Sequence, residues 1–90
     1  MSITIKIPAL WQPIIGAHHV EVQADDVAEA LQALVERCPQ LHSQLYDEKG
    51  GVRDVLHFFV NQEHIRFHGG FDAPLQDGDE VYIVPMISGG

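Results

Sequence analysis

The chain has ninety residues and sets thirteen Asp and Glu against five Lys and Arg, for a formal net charge of −8. That length supports one modest core, burying about 60% of the unfolded surface, and no two-domain enzyme with a deep cleft. The charge excludes a phosphate-neutralising surface and favours a basic protein partner, while a lone Cys38 excludes an internal disulfide.

Apolar runs fall far short of the roughly 20 residues of a membrane span, and no secretory leader is expected ahead of Ile3. The expectation is a single cytoplasmic domain over 1–90. Ser2 to Ile7 alternates polar and β-branched residues, predicting a strand with Ile3, Ile5 and Ile7 inward. Pro8 and Pro13 bracket a long loop containing Trp11, and His18 to Val22 reads as a strand returning beside the first. Asp25-Asp26 offers a helix cap with Glu29 placed to reach back, and Val27, Ala30, Leu31, Leu34, Val35 and Cys38 recur at helical spacing. Glu29, Gln32, Glu36 and Arg37 fall on the wet face, and Pro39 stops the helix after about three turns.

Leu41 and Leu45 predict a short packed segment ahead of the polar loop Asp47 to Gly51. Val55 to Val60 is the next strand, with Leu56, Phe58 and Val60 inward and His57 and Phe59 outward. A turn at Asn61-Gln62 leads into a short strand from Glu63 to Phe67. A loop from Gly69 to Leu75 and a turn at Asp77-Gly78-Asp79 precede the last strand, with Val81 and Ile83 inward and Tyr82 and Val84 outward. Strands flanking one helix predict an α+β roll: a mixed sheet of about five strands, its apolar first and last strands parallel at the centre.

The final stretch departs from an ordinary frayed terminus. Pro85 cannot donate to a sheet ladder, so a flexible tail over 86–90 is expected, spanning about 17 Å when extended. Gly89 and Gly90 place no Cβ beside the terminal carboxylate.

Asp77-Gly78-Asp79-Glu80-Val81, Ile83, Pro85 and the final Gly89-Gly90, in this strand order, resemble the ubiquitin-like β-grasp sulfur carriers of the ThiS/MoaD family. The resemblance spans the whole chain. Ile7-Pro8, the long first loop, Phe59-Val60-Asn61, and Ile65-Arg66-Phe67 followed by Gly69-Gly70 are most similar to the CysO-type carriers. The resemblance implies a protein that is not itself an enzyme. Its Gly90 carboxylate is adenylated by an E1-like partner using ATP, then converted to a thiocarboxylate that donates sulfur. It implies a partner-binding surface of Gly89, Ser88, Ile87, Met86, Val84 and Phe59, and no tightly bound cofactor. A pyridoxal-phosphate synthase making cysteine or homocysteine is the implied acceptor; molybdopterin, thiazole or natural-product pathways, or attachment to target lysines as a ubiquitin-like modifier, are the alternatives.

Six histidines raise a metal reading, but His18 and His19 point to opposite faces of a strand, and His64 and His68 are not on a helix. Cys38 is expected to be a buried, inert helix-face residue. Asp77, Asp79 and Glu80 fit turn chemistry, and no nucleophile–base pair accompanies them.

Overall fold

The computed structural model describes residues 1–86. Alternating isoleucines take one face of β1 (Ser2–Lys6) out of water, with Ile3 and Ile5 fully buried. Burial of each such side chain contributes about 1.5–3 kcal/mol before the entropy of ordering is subtracted. β2 (His19–Gln23) returns antiparallel, setting Val22 opposite Ile3 and Val20 opposite Ile5. The connection is more than a loop. Pro13 starts a short helix, α1 (Gln12–Ile15), and Gly16 closes it at φ 68°. Trp11, just before it, is buried in the core.

The helix α2 (Val27–Arg37) starts where the acids predict. Asp26 Oδ1 accepts from the Glu29 amide at 2.8 Å, and Glu29 Oε1 accepts from the Asp25 amide at 3.0 Å. This is a reciprocal cap whose return bond falls one residue ahead of the usual one. Val27, Ala30, Leu31 and Leu34 face the sheet. Cys38 is half-buried at the C-cap rather than buried on the helix face, because Pro39 turns the chain away there. A single turn (Pro39–Leu41) and α3 (His42–Leu45) then bury Leu41 and Leu45 completely.

β3 (Leu56–Val60) pairs antiparallel with β4 (Glu63–His64), which has two residues rather than the five expected. His64 Nδ1 accepts from the Arg66 amide at 3.0 Å and caps a tight turn, Ile65–Phe67. A continued strand would hold Ile65 and Phe67 on one face; the turn buries Ile65 and leaves Phe67 exposed. A second tight turn (Gly70–Asp72) occupies the loop that follows.

β5 (Glu80–Pro85) lies between β1, parallel to it, and β3, antiparallel to it, giving the order β2-β1-β5-β3-β4. α2 covers the inner face. The turn into β5 closes with Asp79 N–H donating to Gln76 O at 3.0 Å, and Gly78 sits at φ 90°, a conformation costly for any residue with a Cβ. Asp79 Oδ2 accepts from the Gln76 amide and its Oδ1 from Asn61 Nδ2, while Asp77 Oδ1 accepts from the Ser2 amide at 2.7 Å. The two aspartates therefore fasten the start of β1 and the β3–β4 turn to the start of β5.

The parallel ladder opens with Thr4 N–H donating to Asp79 O. By its alternation, the donors that would extend it past the Lys6–Tyr82 pair are residues 8 and 85. Both are prolines, so β1 and β5 separate there.

Candidate functional site

The outer face of the sheet gathers side chains from four strands. Lys6 stands beside Tyr82, Phe59 opposes Tyr82 on one side and His64 on the other, and Val84 opposes His57. The predicted pair Phe59 and Val84 thus lies on one face at the root of the tail. Val84 is 37% exposed. Phe59 faces outward but is half-buried rather than exposed, because the His64 ring packs edge-on against it with centroids 5.1 Å apart.

Met86 is 53% exposed, yet its backbone has not left the sheet: its amide donates to Val55 O at 2.7 Å, one step beyond the Leu56–Pro85 pair. Pro85 occupies a pair in which an N–H would point away from β3, so it interrupts no bond on that side. The strand itself ends at Pro85, and this single bond ties the Met86 backbone to the edge of β3. Ile87, Ser88, Gly89 and Gly90 lie outside the described residues.

Polar contacts hold the β1–β5 side of this face. Lys6 Nζ lies 3.5 Å from Glu80 Oε2, and the Tyr82 hydroxyl donates to Glu80 Oε1 at 3.0 Å. That hydrogen bond, then partial burial and the carboxylate charge, raise the Tyr82 pKa above the ordinary phenol value; Lys6 opposes them.

Two histidines that the sequence reading left apart meet here. His57 Nδ1 and His64 Nε2 are 2.9 Å apart. Since His64 Nδ1 accepts from the Arg66 amide, the neutral His64 ring carries its proton on Nε2 and donates it to His57 Nδ1. The His64 pKa is lowered from its ordinary value, by partial burial first and then by the charges of Arg66 and His57. The signal was available: pairing across the two-residue turn at Asn61-Gln62 puts residue 64 on the face of residue 59. Among the described residues, no group of three or more His, Cys, Asp or Glu is placed to hold a metal ion. The outer face offers apolar and aromatic contact beside a strand end.

The sequence model of the ThiS family matches residues 5–90. The chain belongs to the ThiS family. It is 29% identical to the sulfur carrier protein CysO of Mycobacterium tuberculosis over the full length of both chains. Its fold is similar to SAMP1 from Haloferax volcanii, with a TM-score of 0.86 at 29% identity and full coverage of both chains. It is similar also to a chain in the Amycolatopsis orientalis BexX/CysO complex, with a TM-score of 0.84 at 29% identity, covering 98% of this chain and 99% of that one. These neighbours identify the mixed sheet and its helix as the ubiquitin-like β-grasp.

Proposed function

We propose that this family member carries sulfur on its C-terminal carboxylate. The observation that carries the reading is the course of β5: a central strand that presents Val84 beside Phe59 on the outer face, then runs through Pro85 toward a sequence ending Gly89-Gly90. Full-length similarity to a protein named as a sulfur carrier supports it.

In this reading an E1-like enzyme supplies ATP, and a Gly90 carboxylate oxygen attacks the α-phosphorus, releasing pyrophosphate. Hydrosulfide then adds to the acyl-adenylate carbonyl, and AMP leaves with that oxygen. Activation is needed because a carboxylate repels nucleophiles and has no good leaving group. The thiocarboxylate so formed is a sulfur nucleophile on a protein handle, and docking raises its local concentration at the acceptor. The domain supplies the handle; Val84, Phe59 and Met86 contact the partner, and Ile87, Ser88, Gly89 and Gly90 enter its active site. A synthase that displaces a leaving group from an activated serine or homoserine derivative, held on pyridoxal phosphate, is the acceptor we favour. The solved BexX/CysO complex supports a protein partner for a carrier of this kind.

The test is intact-mass spectrometry after incubation with the adenylating enzyme, ATP and sulfide. The expected product is heavier by one oxygen-to-sulfur exchange, localised to Gly90, and absent from a Gly90→Val variant. An unchanged carboxylate under those conditions overturns the reading. A second reading, attachment to target lysines, is favoured by the fold similarity to a small archaeal modifier protein. Denaturing gels separate the two, since conjugate ladders that vanish with Gly90 belong to a modifier alone.

A further inference from the structure

On the far side of β3 from β5, the shortness of β4 opens a groove. β5 pairs with β3 from Leu56 to Val60, but β4 pairs only with Phe59 and Val60. Among the described residues, the stretch Leu56–Phe58 therefore has no strand on its outer edge, and a groove of about 300 Å³ runs along it. Leu56, Phe58 and Ile65 form its apolar part, and Phe71 packs edge-on against Phe58 at 5.5 Å while remaining 40% exposed.

The groove's charge is opposite to the chain's. Arg53 and Arg66, two of the five Lys and Arg, line it together with His57 and His64, and Asp54 is the one acid among its described lining residues. Both guanidinium groups are held: Arg53 Nε donates to Ser43 O at 2.8 Å, and the Arg66 carbon lies 4.8 Å above the Phe67 ring. Each retains further N–H donors suited to carboxylates. One end of the groove adjoins the tail root, since Val55, whose carbonyl takes the Met86 amide, is itself exposed and precedes Leu56.

We infer that this groove receives an acidic segment with an apolar anchor, contributed by the enzyme that works on the tail. The apolar side chain fills the space over Leu56 and Phe58, and flanking carboxylates meet Arg53 and Arg66. The inference rests on the carrier reading for the owner of the segment, and on the groove alone for its chemistry. It gives docking a polarity: an acidic domain approaches a basic partner surface, while one local contact of reversed sign sets the orientation of the tail.

Two experiments test it. The ¹⁵N-labelled chain is titrated with a hexapeptide of alternating glutamate and leucine, and with its lysine–leucine counterpart. The acidic peptide is expected to shift the amides of Arg53, Phe58, Arg66 and Phe71, and the Arg66→Glu variant to bind it about fivefold more weakly or worse. Absence of those shifts, or equal shifts with the lysine peptide, overturns the inference. Arg53→Gln serves as a second variant should one fail to fold.

The second measurement is the concentration of carrier that half-saturates the adenylating enzyme. Arg66→Glu makes the chain more acidic, so steering by net charge alone predicts tighter docking, whereas the groove predicts weaker. Tighter or unchanged docking removes the enzyme as owner of the segment. If the parent chain is never adenylated, the carrier reading fails while the peptide titration still decides the groove.

Discussion

The Met86 amide donates to the Val55 carbonyl at 2.7 Å, carrying the β3–β5 ladder one residue beyond Pro85. Four residues follow that bond in the sequence, and four residues span at most about 14 Å. We expect the Met86 amide to be protected from hydrogen exchange in the free protein relative to the amides of exposed loop residues such as Glu48. Docking onto the adenylating enzyme should leave it protected. Its loss on docking would mean that the partner peels the strand end to lengthen its reach.

Val84 is an exposed apolar side chain at the root of the tail that the core does not need. Val84→Asp should leave the melting temperature within a few degrees of the parent and weaken docking about tenfold or more, read as half-saturation in the adenylation assay. Phe59→Ala is the less clean variant, because it also strips the ring from His64 and lowers stability. Unchanged docking by Val84→Asp would separate the outer face from partner binding.

Trp11 is 4% exposed, within a segment that composition alone leaves as loop. Trp11→Ala should cost about 3–5 kcal/mol, a large share of the 5–15 kcal/mol typical of a whole domain. Urea unfolding of parent and variant measures it, and a loss under about 1 kcal/mol would show that the site collapses freely around the cavity.

The histidine pair makes stability depend on acid. His64 is shifted below its ordinary 6.5, so the unfolded chain binds the proton more readily than the folded one. The neutral ring's contribution is complete above the unfolded value and fades as pH falls through the folded value. A proton added to His64 at Nδ1 must break the bond from the Arg66 amide, which uses that nitrogen's lone pair. The stability advantage of the parent over His64→Gln should therefore shrink as pH falls below the ordinary histidine value of 6.5, measured by urea unfolding. The Glu63–His68 pair, 3.3 Å apart, is common to both proteins and drops out of the comparison. An advantage that grew toward acid would reverse the assignment.

The clearest elements in the sequence were those where local chemistry and burial agree. Asp26 and Glu29 cap α2 as their spacing indicates, and alternating Ile3 and Ile5 mark β1 as a core strand. Phe67 misled because Ile65-Arg66-Phe67 mimics a strand's alternation, while the side-chain cap from His64 that breaks it has no periodic signature. Trp11 was hidden by prolines that look like loop punctuation but here start a helical turn. At the outer face, Phe59 and Val84 follow from counting residues along strands. The partial cover on Phe59 depends on the hairpin register, which a single sequence leaves open.

The centre of the sheet joins strands far apart in sequence, with Asp77 and Asp79 fastening Ser2 and Thr4 to the start of β5. β1 leaves the ribosome well before β5, the neighbour it must pair with. Closing so long a loop makes assembly slow relative to local helix formation. A nascent chain that stalls before residue 80 lacks the strand that joins β1 to β3, so it cannot complete the surface a partner would grip. Synthesis through β5 and assembly of the outer face are thereby coupled, so that in the proposed carrier reading no docking surface precedes the strand that leads to the tail.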